Sequence, residues 1–96
     1  MIQDLITIIE KIRGKIKDGS AMEWTGCDSA KSLRNELELY IDQLQKGNTE
    51  CLKDLNTHFL PTSTFQEHSL SNGWADEFMS LAEQFDRIYA VIKNPG

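Results

Sequence analysis

The sequence predicts an all-α protein: a small four-helix bundle-like domain over residues 1–96, with two longer loops at 18–28 and 61–72. Three observations carry that expectation. Trp74, Phe78, Leu81, Phe85, Ile88 and Ile92 follow one another at steps of four and three, which keeps all six on one stripe of a helix. The same spacing recurs in Ile2, Leu5, Ile9, Ile12 and Ile16 and again in Leu33, Leu37, Tyr40, Ile41 and Leu44. Chain breakers then separate the stripes, at Asp18-Gly19, Gly47-Asn48, Leu60-Pro61 and Asn94-Pro95-Gly96. Each stripe needs another to cover it, and a helical bundle is the economical solution.

The first element runs from Met1 to about Lys17. Ile6 and Ile8 widen its apolar side, so it is expected to pack against more than one neighbour. Gly14 weakens it locally, by up to about 1 kcal/mol relative to Ala. The segment 18–28 reads as a loop with turns at Gly19 and Gly26, from which Met22 and Trp24 are expected to fold back as a lid, with a short extended stretch at 21–25 as the alternative. Asp28 or Ser29 caps the second helix, because either side chain accepts a hydrogen bond from a free N–H of the first turn. Asn48 or Thr49 caps a short third helix carrying Leu52, Leu55 and Phe59, and the brief link implies an αα-hairpin. Leu60-Pro61 ends it, since proline lacks the N–H and disfavours helical geometry before it. The stretch 61–72 is polar with two apolar anchors, Phe65 and Leu70, and Ser63 with Gln66 offers a capping box for one short turn. The last helix starts near Asn72-Gly73, with Asp76 and Glu77 in a first turn whose dipole favours negative charge.

The net charge is −5 and unevenly spread. Residues 1–17 hold four bases against two acids, and the remainder holds thirteen acids against six bases. The acidic majority repels phosphate backbones and argues against nucleic-acid binding, while it suits a basic protein partner. No apolar run reaches the length of a membrane span. The N-terminus carries Asp4 where a signal peptide carries bases, so a cytoplasmic protein is expected, with Cys27 and Cys51 as free thiols. Neither cysteine belongs to a CxxC pair.

No pattern of catalytic chemistry stands out. GxxxxGK[ST], GxGxxG and GxSxG are absent. The basic run Lys11 to Lys17 is expected as a solvated face. The densest set of functional side chains is the stretch 66–77, where Glu67, His68 and Asp76 offer carboxylate and imidazole ligands to a divalent metal, with His58 approaching from the third helix. Their spacing fits no established metal pattern, so no metal and no cofactor is assigned. His68 beside Ser69 or Ser71 likewise lacks the geometry that nucleophilic catalysis requires.

Two functional classes follow. The first is a small acidic module that binds another protein: a bacterial inhibitor of the immunity or antitoxin type, or an adaptor or regulatory subunit. Its surface would comprise the loops bearing Trp24 and Phe65, with Glu23, Glu67, Asp76 and Glu77 around them. Binding residues are expected at Trp24, Glu67, His68, Asn72, Trp74 and Asp76, with Trp74 anchoring the 61–73 segment from beneath. The second class is a metal-dependent enzyme or metal sensor using Glu67, His68 and Asp76. Self-association is compatible with either.

Overall fold

The computed structural model describes residues 2–17, 29–60 and 64–93. They form five helices and no strand: α1 (Ile2–Lys15), α2 (Ala30–Gln45), α3 (Leu52–Phe59), α4 (Thr64–Asn72) and α5 (Ala75–Lys93). The expected loop at 18–28, with Met22, Glu23, Trp24, Cys27 and Asp28, lies outside the described residues, as do Ser63 and the C-terminal stop at 94–96.

The local chemistry accounts for the helix ends. Ser29 has an extended backbone, and its Oγ accepts the Ser32 N–H at 3.1 Å, capping α2. At the other end Gly47 takes φ +83°, a conformation in which a side chain is strained. That turn lets the Asn48 N–H reach Gln43 O at 2.9 Å and the Gly47 N–H reach Leu44 O at 3.0 Å, satisfying two terminal carbonyls. The expectation that Asn48 or Thr49 caps α3 needs correction: Cys51 stands directly before α3 and makes no side-chain cap, while Asn48 Oδ1 accepts the Glu50 N–H at 2.9 Å in a local turn ahead of the helix. α3 stops where Leu60, preceding Pro61, turns extended (φ −65°, ψ 151°). Just beyond α1, the Arg34 guanidinium donates to Ile16 O at 3.0 Å and so ties the end of α1 to α2.

The expectation of a loop over 61–72 needs correction. Residues Thr64–Asn72 are helical, so the fold has five helices where four were expected. The face that α4 turns inward consists of Thr64, Phe65, His68 and Ser69, which is helical spacing carried mainly by polar residues. Leu70, expected as an anchor, is 59% exposed on the opposite face. Gly73 (φ +80°) ends α4, with the Trp74 N–H bonded to Ser69 O at 3.0 Å. Trp74 O then accepts the Phe78 N–H at 2.9 Å, so the final helix opens at Ala75, a little later than expected.

α1 lies against both α2 and α5, and α4 lies against α3 and α5. The broad isoleucine side of α1 is thereby explained, since Ile6, Ile8, Ile9 and Ile12 are all buried. The expected hairpin of α2 and α3 is looser than foreseen: residues 46–51 join them, and the backbone of α3 runs beside α4. Phe59 of α3 is the hub of the aromatic core. It stacks on Phe85 (centroids 4.2 Å apart, planes 9° apart) and meets Phe65 edge-on at 5.0 Å, joining three helices. Burying a ring of this kind stabilises the fold by about 1.5–3 kcal/mol. The stripe Trp74, Phe78, Leu81 and Phe85 is buried as predicted, and Ile88 and Ile92 are half-buried. Among the described residues no helix is long and apolar enough to cross a membrane.

Candidate functional site

The corner between α4 and α5 gathers most of the residues singled out in the sequence. Gly73 makes the turn tight enough that Trp74 folds back under it, 6% exposed. The indole Nε1–H donates to His68 Nδ1 at 3.0 Å, and the indole meets Phe78 edge-on at 6.1 Å. Because Nδ1 accepts, the neutral ring carries its proton on Nε2. That nitrogen is buried and has no hydrogen-bond partner among the described residues. Burial pushes the His68 pKa below its ordinary value, because a charged ring would lose its hydration there. Asn72 closes the end of α4 by donating its Nδ2–H to His68 O at 2.9 Å.

Over this apolar floor opens a cleft of about 470 Å³, lined by Leu70, Gly73, Trp74, Ala75, Asp76 and Glu77, with Ser69 and Lys15 at its sides. Lys15 Nζ pairs with Glu77 Oε2 at 2.9 Å and fastens α1 to the start of α5. Asp76 is exposed and makes no ion pair among the described residues. Met79, 67% exposed, stands one turn after Asp76 on the same helix. The corner therefore offers two exposed apolar side chains beside a carboxylate, on a backbone held by the Trp74–His68 bond beneath.

The structure places the predicted residues at different depths. Asp76 is exposed on the rim, Asn72 is exposed at the end of α4, and Glu67 is half-buried. Trp74 lies beneath, as the sequence suggested. His68 needs correction as a surface residue: it is fully buried, because its face of α4 points to the core. Trp24 lies outside the described residues. Glu67, His68 and Asp76 do not converge as a ligand set, and no group of three His, Cys, Asp or Glu among the described residues is placed to hold a metal. His58 is engaged elsewhere.

That other place is a polar cluster which no sequence spacing announced. The Tyr40 O–H donates to Glu36 Oε1 at 2.7 Å, and His58 Nε2–H donates to the same oxygen at 3.0 Å. His58 Nδ1 is in turn hydrogen-bonded to the Thr64 hydroxyl at 2.8 Å. Burial raises the Glu36 pKa, but the bonds from Tyr40 and His58 outweigh it and hold the carboxyl below its ordinary value. Burial, the bond to Glu36 and the nearby Asp54 carboxylate push the Tyr40 phenol well up. A hydroxyl, an imidazole and a carboxylate in series have the order of a nucleophile, its base and an orienter. Thr64, however, is only 6% exposed and does not line the adjoining notch of Glu36, Tyr40, Asp54, Thr57 and His58. The chain of bonds acts as a strut joining α2, α3 and the first turn of α4. Its members lie six and twenty-two residues apart, so only the fold brings them together.

Comparison with protein-family models, with curated proteins and with solved structures finds nothing that matches this chain.

Proposed function

We propose that the protein is a small acidic helical module that works by binding another protein, in the manner of an inhibitor, an immunity-type protein or an adaptor, and that the α4–α5 corner makes the contact. The observation that carries this reading is the exposure of Leu70 and Met79 beside Asp76, which makes no ion pair among the described residues, over a floor fixed by Trp74 and His68. Exposed apolar side chains next to a rigid, partly concave surface are what a partner's anchor residue needs. The acidic surplus of residues 18–96 steers a basic partner toward this face and makes association depend on salt.

The test is a tagged-protein capture with a matched variant. Wild-type protein recovers a stoichiometric partner from its native host, and the partner elutes more readily as salt rises. The double variant Leu70→Gln/Met79→Gln, which alters only exposed side chains and keeps good helix formers, keeps its helical circular dichroism and melting temperature and loses the partner. Retention of the partner by this variant would move the contact off the corner. Recovery of no stoichiometric partner at any salt concentration would remove the binding-module reading. Replacement of Glu67 and His68 together is the poorer test, because a buried His68 makes it a test of folding.

A further inference from the structure

We propose that the cleft between α1 and α5 is an anion site for a small soluble phosphorylated compound bearing at least two negative charges. The cleft has a volume of about 480 Å³ and is lined by Lys11, Lys15 and Lys17 from the α1 side and by Ser80 and Gln84 from α5, with Glu77 at its edge. Lys11, Lys15 and Lys17 line the cleft, and Glu77 is the one carboxylate among its described lining residues, in a protein whose net charge is −5. A basic recess on an acidic protein concentrates anions locally, and lysine binds phosphate as a point charge. The Ser80 hydroxyl and the Gln84 amide, one turn apart on α5 and joined by a 3.3 Å hydrogen bond, add donors for phosphoryl oxygens.

Gly14 is the second observation. It sits inside α1 between Lys11 and Lys15, where a residue with a side chain makes a better helix. Its backbone is not left-handed, and a Cβ there would meet no atom within 4 Å. Neither conformation nor crowding calls for glycine. What glycine does at this position is leave the wall of the cleft bare, so that the space between the lysines stays open.

The charges are arranged to be exchanged. Lys11 makes no ion pair among the described residues, and Lys15 is held by Glu77 at 2.9 Å. An incoming phosphate replaces the Glu77 carboxylate as the partner of Lys15. The volume lies in the range of small-molecule sites, about 300–1,000 Å³. The site shares Lys15 and Glu77 with the corner cleft, but its argument does not depend on the protein-binding reading.

Titration with inorganic pyrophosphate, followed by backbone amide NMR in about 0.1 M salt, tests the site. Saturable shifts confined to residues 11–17 and 77–84 are expected. Lys11→Gln should weaken binding roughly tenfold or more. Glu77→Gln should tighten it, because the competing carboxylate is gone. Gly14→Leu should abolish it without lowering the melting temperature, by filling the cleft. Shifts that do not saturate, or that spread equally to Lys31, Lys46, Lys53 and Lys93, overturn the proposal, and so does saturable binding indifferent to both Lys11→Gln and Gly14→Leu. Vesicles of phosphatidylglycerol are the second arm. If they bind the protein through these lysines while pyrophosphate does not, the basic face belongs to a lipid surface and the soluble ligand is ruled out.

Discussion

Replacing Trp74 by Phe isolates the bond that supports the α4–α5 corner. The phenyl ring keeps an aromatic group beside Phe78 but removes the Nε1–H that reaches His68 Nδ1 at 3.0 Å. His68 is fully buried and its Nε2 already lacks a partner among the described residues, so the replacement leaves both ring nitrogens unsatisfied. An orphaned buried acceptor costs about 1–3 kcal/mol, and the smaller ring loses about 1 kcal/mol of packing, giving about 2–4 kcal/mol together. A protein of 96 residues holds roughly 5–14 kcal/mol in total, so the effect is large. Urea unfolding followed by far-UV circular dichroism reads it directly, without relying on the altered fluorescence. The decisive comparison is the same replacement in a His68→Leu background. There the indole N–H has already lost its acceptor, so removing it should cost little or even stabilise, and the coupling between the two sites should be at least about 1 kcal/mol. A cost below about 0.5 kcal/mol in the presence of His68, or additive effects in the double variant, would refute the reasoning.

Three further outcomes follow from the same packing. Phe85→Ala removes a fully buried ring stacked on Phe59 and should cost about 3–5 kcal/mol in urea unfolding; a loss below about 1 kcal/mol would mean that the stripe is not core. His68 has a lowered pKa in the folded protein, so on acidification the unfolded chain takes up its proton first: stability is full above the ordinary value of 6.5 and declines as pH falls below it toward the folded-state value. Urea midpoints measured from about pH 7.5 to about pH 5.5 should therefore fall more in the wild type than in His68→Asn, and equal slopes would exclude the buried neutral ring. Cys51 is buried, and burial raises its thiol pKa, so iodoacetamide should modify it about tenfold or more slowly in the native protein than in urea; equal rates would show that α3 opens freely at its first turn.

Most of the fold could be read because its apolar residues recur at helical spacing. The stripes of α1, α2, α3 and α5 all turn to the core, and the breakers at Gly47 and Pro61 fall where helices end. α4 escaped for a definite reason. Its buried face keeps the helical period at Phe65, His68 and Ser69, but two of these three are polar, and its other large apolar residue, Leu70, faces outward. An apolar count is blind to such a helix. Gly73 as a terminal glycine, with Ser63 and Gln66 as a start, was the available signal. The same polarity explains the misplacement of His68, since a histidine between Glu67 and Ser69 reads as solvated until its neighbour across the turn, Trp74, is seen to donate to it. The Glu36–His58–Thr64 strut could not be read at all, because its partners meet only once α2, α3 and α4 are in place.

The position of α1 between α2 and α5 has a consequence for biosynthesis. The ribosome releases α1 first, yet one of its two covering helices is the last of the five to emerge. Until residues 75–93 have been made, the side of α1 that lies against α5 lacks that cover. The α1–α2 contact can form as soon as α2 is made, whereas the side of α1 that waits for α5 stays open to intermolecular contacts during that interval.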